Sequence, residues 1–207
     1  MTKAEIKTIF GKNYLGLDEQ EPFFKKLGLD INRIKEPDIY YSDSDLVQAA
    51  KNDYILICGI EHVGEKRITL KFLRDVFGIN PSISEPCLYN QDWYLGEGFM
   101  DNALNSQWYL IKKNVYEDSR AVMPLELIER GIHFPSAILC CYTFFAYYFY
   151  NREYLWWHDF IWCCDVDHNG DRIYVGKYND VDGINKNGFS IHRHLALRTC
   201  YTAIDCM

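Results

Sequence analysis

Oxygen-bearing side chains occupy alternate positions in residues 165–171. Carboxylate and amide oxygens at this spacing, together with the Asn169-Gly170 pair, match the first half of an EF-hand loop, which binds calcium. The second half is absent, because the twelfth position is Gly176 instead of a glutamate, and a missing carboxylate would have to come from Asp180 or Asp182. The alternative is a solvated hairpin turn that Asp and Asn side chains stabilise. The candidate calcium ligands are Asp165, Asp167, Asn169 and Asp171.

Two histidines, His192 and His194, are separated by one residue in a predicted strand, so both imidazoles face the same side. Metal sites use such pairs, and a third ligand would have to come from His158, His168 or a cysteine. The alternative is a strand face that contacts solvent or forms hydrogen bonds. Arg193 lies between them and faces the apolar side. We expect this arginine to pair with a buried carboxylate or to stack on an aromatic ring.

The sequence contains no complete set of catalytic residues. Residues 59–66 follow an apolar run, as a phosphate-binding loop does, but the lysine is one position late and two glutamates would repel phosphate. The eight cysteines include no Cys-x-x-Cys pair, so a structural zinc site is not indicated. Cysteines in apolar strands are usually small core residues. These observations favour a protein that is not an enzyme.

Strands must hold these side chains in place. Residues 160–162 and 173–175 are β-branched and aromatic runs, and the Asn169-Gly170 pair between them tolerates the positive φ of a tight turn. This pattern predicts an antiparallel hairpin. Residues 189–197 alternate apolar and polar side chains with the period of a half-buried strand. We therefore predict a three-stranded antiparallel sheet near the C-terminus.

Helical patterns dominate the N-terminal part. Short helices are predicted over residues 2–10 and 19–27, from capping residues and apolar spacing. The polar residues 32–44 contain a proline and are typical of a linker. This division predicts a small helical N-terminal segment, residues 1–44, and a main α+β domain, residues 45–207.

A central helix connects these parts. Residues 137–150 follow the capping residue Ser136 and are apolar nearly all round, which predicts a buried helix. The fold class is therefore α+β, with short N-terminal helices, one buried central helix and an antiparallel C-terminal sheet. Further predicted elements are a buried strand over 53–60, a strand over 108–111 and helices over 70–77 and 124–129.

The composition excludes several classes of protein. A hydrophobic content of 48% with 16% aromatic residues predicts a large core. The net charge of -7 argues against nucleic acid or anionic lipid as a partner. The N-terminal residues lack the apolar run of a signal peptide, and the longest apolar stretch is shorter than the roughly 20 residues that span a bilayer. We expect a cytoplasmic protein with reduced cysteines and no membrane partner.

Aromatic side chains are densest in the C-terminal part, where Trp156 and Trp157 precede the hairpin. A sheet with so many rings cannot bury all of them cheaply, so one face is expected to bind a partner. The predicted ligand-binding residues on this sheet and its turns are Trp162, Tyr174, Tyr178, Asp180, Asp182, Asn185, Asn187, His192 and His194.

An aromatic strand, a hairpin at 167–174, a Gly/Asn-rich loop at 183–188 and a closing strand end the sequence. In this order the C-terminal stretch resembles bacterial and phage C-type-lectin-like domains, including the variable proteins of diversity-generating retroelements and the formylglycine-generating-enzyme-like group. The resemblance implies a lectin-like fold that binds its ligand through loop 180–187 and the exposed strand face. The whole chain is also similar to bacterial proteins of unknown function that share runs like residues 90–94 and 167–176.

These patterns predict a non-enzymatic binding module whose recognition surface is the C-terminal sheet with its loops. The expected ligand is a protein or a small molecule, and calcium on residues 165–171 is the one cofactor considered. The alternative is a small metal-dependent enzyme that uses His192 and His194 with Asp165 or Asp167.

Overall fold

The computed structural model describes residues 1–178, 188–193 and 197–207. Within these ranges, helices and mainly antiparallel sheets confirm the α+β class. The helices are α1 (Lys3–Phe10), α2 (Glu21–Lys26), α3 (Asp43–Lys51), α4 (Leu70–Phe77), α5 (Pro124–Glu129) and α6 (Ala137–Asn151). The strands are β1 (Tyr14–Leu15), β2 (Tyr54–Gly59), β3 (His62–Val63), β4 (Lys66–Arg67), β5 (Gln107–Lys112), β6 (Phe160–Val166), β7 (Arg172–Tyr178), β8 (Gly188–Arg193) and β9 (Tyr201–Thr202). Short 3-10 turns cover Gly11–Asn13, Ile31–Arg33, Gly98–Asp101 and Glu117–Ser119.

The first sheet has the order β1-β2-β5, with β1 parallel and β5 antiparallel to the central strand. All residues of β2 are buried, as its continuous apolar run predicts. The N-terminal residues supply β1, and their Phe10 and Phe23 side chains belong to the same core cluster as α6. Residues before and after position 44 therefore contribute to one core cluster.

Helix α6 is the predicted buried central helix. Its N-terminus is capped by the Ser136 hydroxyl, which accepts a hydrogen bond from the Leu139 N–H. The helix is buried on all sides over most of its length and contacts β2 of the first sheet and β6 and β7 of the second. None of the helices in the described part of the chain has the length and apolar character needed to cross a membrane.

The second sheet has the order β8-β7-β6-β9. Strands β6, β7 and β8 form the predicted antiparallel unit, and Gly170 has φ 85° in the turn between β6 and β7. Strand β9 adds a parallel fourth member that the sequence did not predict. Strand β8 ends at Arg193, and the predicted continuation through residues 194–196 lies outside the described residues.

Gly188 allows a close approach at the outer edge of β8. Its φ is 147°, and a Cβ at this position would lie 2.4 Å from the Leu88 carbonyl carbon. The backbone of Leu88 bridges that of Phe189 here, so only glycine fits without displacement of the chain. This contact fixes the segment after α4 against the C-terminal sheet.

Candidate functional site

The two faces of the C-terminal sheet bury different side chains. One face carries Ile161, Val175 and Ile191, which belong to the core cluster around α6. The opposite face carries aromatic rings that form a second cluster with residues from outside the sheet. The members of this second cluster are Leu127, Phe134, Phe160, Trp162, Tyr174, Tyr201 and Ala203.

The predicted binding residues Trp162 and Tyr174 lie in this second cluster and are only 1% and 5% exposed. Their rings meet edge to face at 5.3 Å, and each also contacts Tyr201. Leu127 and Phe134 belong to the same cluster. The aromatic face of the sheet, which we predict to bind a partner, is therefore largely interior. These buried rings are held by their contacts with one another.

His192 extends the same aromatic face. Its ring stacks on Tyr174 at 5.5 Å and meets Phe160 edge to face, and its Nδ1 lies 3.0 Å from the Gln91 side-chain nitrogen. Burial, assisted by the positive charge of Arg198, lowers the pKa of His192 to about 4. The imidazole is therefore neutral at pH 7. This agrees with the interpretation of His192 as a strand residue that forms hydrogen bonds.

Several predicted ligand-binding residues fall outside the described part of the chain. The backbone of Tyr178 pairs with that of Gly188 at the end of β7. The residues outside the described ranges are Asp180, Asp182, Asn185, Asn187 and His194.

The carboxylates predicted to bind calcium have different partners. Asp165 accepts hydrogen bonds from the Ala137 N–H at 2.7 Å and from the Asn102 side chain at 3.1 Å, so it binds the first residue of α6. Asp167 Oδ1 instead accepts from the N–H groups of Asn169 and Asp171, both at 2.9 Å. Asp165 and Asp167 thus organise a helix start and a hairpin turn, respectively.

Asp167 also pairs with Arg193, whose Nη1 lies 3.1 Å from Oδ2. The same guanidinium lies over the Trp93 ring at 5.1 Å. Both contacts expected for Arg193, a buried carboxylate and an aromatic ring, are confirmed. Burial works to raise the pKa of the Asp167 carboxyl, but the N–H of Asp171, Arg193 and the N–H of Asn169 outweigh it and lower the pKa.

Among the residues that the structure describes, one group has the composition of a metal site: Glu97, Asp167 and His168. Their ligand atoms lie within 4.8 Å of one another, and such oxygen and nitrogen ligands suit zinc or manganese. Glu97 accepts from the His168 N–H at 2.9 Å and shares a 2.6 Å hydrogen bond with its Nδ1. The three side chains therefore already have partners. The positively charged guanidinium of Arg193 pairs with Asp167, on which a metal ion would otherwise bind.

The structure does not bring His192 together with the predicted carboxylates. His192 and Arg193 are consecutive residues of β8, so their side chains point to opposite faces of the sheet. Because Arg193 contacts Asp167, His192 lies on the other side, among the aromatic rings.

A cleft of about 370 Å³ opens between the start of α5 and the β6–β7 hairpin. Trp162 reaches it from the sheet, and Met123, Leu125 and Val166 surround it. Asp171 and Arg172 provide its polar lining. The guanidinium of Arg172 donates to the Cys163 carbonyl at 2.8 Å, so its position is fixed. This cleft joins two predicted site residues, Trp162 and Asp171.

Lys177 is a functional candidate that the sequence reasoning missed. It is buried on β7, where Ile173, Val175 and Lys177 share the face toward α6. Its ammonium lies 3.1 Å from Glu85 and 5.0 Å from the Tyr154 ring centre. The sequence did indicate that this lysine is buried, because the two-residue period of a strand places it on the same face as apolar residues.

Trp157 lies above Lys177 and is 46% exposed. Its neighbours Trp156 and His158 both have positive φ, 50° and 61°. Non-glycine residues adopt this conformation at a cost and often near functional sites. The backbone thus holds the most exposed tryptophan at a fixed position beside the sheet.

Comparison of the chain with protein-family models, curated proteins and solved structures gave no match. The resemblance to C-type-lectin-like domains therefore stays an expectation, and the function has to be inferred from the site itself.

Proposed function

We propose that this protein is a binding module and that the cleft between α5 and the β6–β7 hairpin receives an apolar segment of a partner protein. The observation that carries the proposal is the group of exposed apolar side chains at the cleft. Leu125 is 69% exposed, and Met123 and Val166 are about half exposed. Single exposed apolar residues are common, but a contiguous group around a cleft is typical of an interaction site.

The floor of the cleft is rigid before any partner arrives. Trp162 is held by ring contacts with Tyr174 at 5.3 Å and Tyr201 at 5.8 Å. Arg172 is held by its hydrogen bond to the Cys163 carbonyl and lies over the Phe134 ring. Binding to fixed groups costs less conformational entropy than binding to mobile ones, which favours recognition here.

The exposed apolar surface extends beyond the cleft. Leu125 and Ile128 are three residues apart on α5 and are both exposed, so they lie on the same side of the helix. A small molecule confined to the cleft would leave this helix face uncovered. A partner segment that places side chains in the cleft and packs along α5 would cover both, with Asp171 and Arg172 at its polar edge.

The test is a binding measurement with Leu125→Asp. Proteins that co-purify with the wild-type chain are identified, and each is then titrated as a purified partner by calorimetry. We expect Leu125→Asp to weaken binding by about 10- to 100-fold, since burial of a leucine contributes about 1.5–3 kcal/mol. The matched control is Ile83→Asp, an equally charged change at a residue that is 84% exposed and outside the cleft.

Unchanged affinity of Leu125→Asp for a purified partner would contradict the proposal, as would equal losses in both variants. The metal-dependent alternative has a separate test. Calcium or zinc retained in stoichiometric amount after dialysis, lost in Asp167→Asn, and required for turnover of a substrate would favour an enzyme over a binding module.

A further inference from the structure

A second cavity, of about 340 Å³, lies in the N-terminal part of the molecule, away from the proposed binding cleft. Its walls come from α1, the segment before α3, α3 itself and β5. The volume is within the range of about 300–1,000 Å³ that is typical of small-ligand sites. Its charged and aromatic wall residues include Lys3, Glu36, Asp38, Tyr41, Asp43 and Trp108.

The predicted linker, residues 32–44, is fixed in place along this cavity. The Trp108 indole N–H donates to the Pro37 carbonyl at 2.8 Å. The Tyr41 hydroxyl donates to the Met207 carbonyl at 2.5 Å and lies 3.2 Å from the Trp108 carbonyl. Glu36 accepts from the Leu17 N–H at 3.2 Å. The cavity is therefore preformed, with Trp108 and Tyr41 as aromatic walls and their polar atoms already bound elsewhere.

The charges around the cavity leave a surplus of one carboxylate. Lys3 pairs with Glu36, and the Met1 amino group pairs with Asp43 at 2.6 Å. Asp38 lines the cavity, and no ion pair within the described ranges includes it. A site with this surplus repels anions and attracts cations.

A buried hydroxyl lies behind Trp108, outside the set of side chains that line the cavity. Tyr14 is completely buried, its ring contacts Trp108 at 5.3 Å, and its hydroxyl has no hydrogen-bond partner in the part of the chain that the structure describes. A Cβ built on Gly16 would lie about 3 Å from the Tyr14 ring and from the carboxylates of Glu19 and Glu36, so these groups lie close together. Burial and the nearby carboxylates of Glu36 and Glu19 raise the pKa of Tyr14, so the hydroxyl stays protonated.

We propose that this cavity binds a small organic cation, an ammonium group carried on an apolar body. Aromatic walls beside carboxylates are the arrangement that recognises such cations, through cation–π contact and charge-assisted hydrogen bonds. Asp38 provides the counter-ion, and Trp108 and Tyr41 contact the apolar body. Lys3 competes with the ligand, because its ammonium already neutralises Glu36.

The experiment measures binding of phenethylammonium, cyclohexylammonium and tetramethylammonium to the full chain by calorimetry. The uncharged 2-phenylethanol and the anionic 3-phenylpropionate serve as comparison probes. We expect saturable binding of at least one cation and none of the comparison probes. Asp38→Asn should weaken cation binding about three- to tenfold, since a charge-assisted contact near solvent is lost.

Lys3→Ala should have the opposite effect and strengthen binding about two- to fivefold, because Glu36 becomes available to the cation. A gain of affinity cannot result from damage to the fold. The matched controls are Asp75→Asn and Lys71→Ala on α4, which change the net charge equally at exposed positions outside the cavity. Failure of all three cations to bind, equal binding of 3-phenylpropionate, or equal effects of the cavity variants and their controls would overturn the proposal.

Discussion

Asp167→Asn tests the ion pair that fixes the β6–β7 turn. The Asp167 side chain is fully buried, while that of Arg193 is 41% exposed. Asparagine keeps one oxygen for the N–H groups of Asn169 and Asp171, but its NH₂ group would face the Arg193 guanidinium, another donor. The substitution therefore removes the ion pair and leaves the turn hydrogen bonds in place.

The expected loss of stability follows from the number of hydrogen bonds affected. A hydrogen bond to a charged group contributes about 1.5–3 kcal/mol, and water around the partly exposed Arg193 offsets some of it, so Asp167→Asn should cost about 1.5 kcal/mol. Asp167→Ala removes the acceptor of all three hydrogen bonds and should cost about 3–4 kcal/mol. At roughly 3 °C per kcal/mol for a chain of this size, the melting temperatures should fall by about 5 °C and 10 °C.

The pH dependence gives a second, independent measure. Burial opposes ionisation of Asp167, yet the N–H of Asp171 and Arg193 lower its pKa below the ordinary value. Because the unfolded carboxyl has a pKa of about 3.9, the charged form stabilises the fold above that pH and this contribution is lost as pH falls through the folded pKa. The stability difference between wild type and Asp167→Asn should thus be complete at pH 7 and shrink below about pH 4.

Urea denaturation at pH 7, 5 and 3 measures these differences. The control is Asp171→Asn, in the same turn, where the side chain is exposed. A difference between wild type and Asp167→Asn that is the same at pH 7 and pH 3 would refute the ion-pair argument. So would a control as destabilised as Asp167→Asn, because the loss would then reflect turn composition alone.

Two further predictions concern other ionisable groups of the C-terminal sheet. In an NMR titration of the folded protein, His192 should stay neutral at pH 5, since its pKa is about 4. The unfolded value is about 6.5, so stability should fall as pH drops from 6.5 toward 4, and His192→Gln should reduce this dependence. Lys177→Met should destabilise the fold by about 1–2 kcal/mol less than Lys177→Ala in urea denaturation, because methionine retains the packing of the buried stem. Equal losses would contradict this role of the stem.

Local patterns predicted the elements that depend on local chemistry. The Asn169-Gly170 pair gave the β6–β7 hairpin, and the Ser136 cap gave the start of α6. Arg193 on an apolar strand face correctly indicated a buried carboxylate or an aromatic ring as its partner, since a lone charge in that position would be too costly.

Contacts between distant parts of the chain could not be read in the same way. The period of two shows that Trp162 and Tyr174 share a face, but nothing near them in sequence shows that Leu127 and Phe134 cover it. Strand β9 has two residues, too few for any pattern, and exists because β6 offers an edge. The strand period indicated that Lys177 is buried. Its partner Glu85 lies 92 residues earlier, so the pair could not be identified from local sequence.

Helix α6 contacts the β1-β2-β5 sheet and the β8-β7-β6-β9 sheet, so opening of either of these two exposes part of its apolar surface to water. An apolar helix of fifteen residues has no polar face on which it could remain folded alone. The two sheets should therefore lose their structure together, as one cooperative unit. The amide protons of the buried part of α6, residues 137–147, are expected to exchange with solvent through global unfolding only.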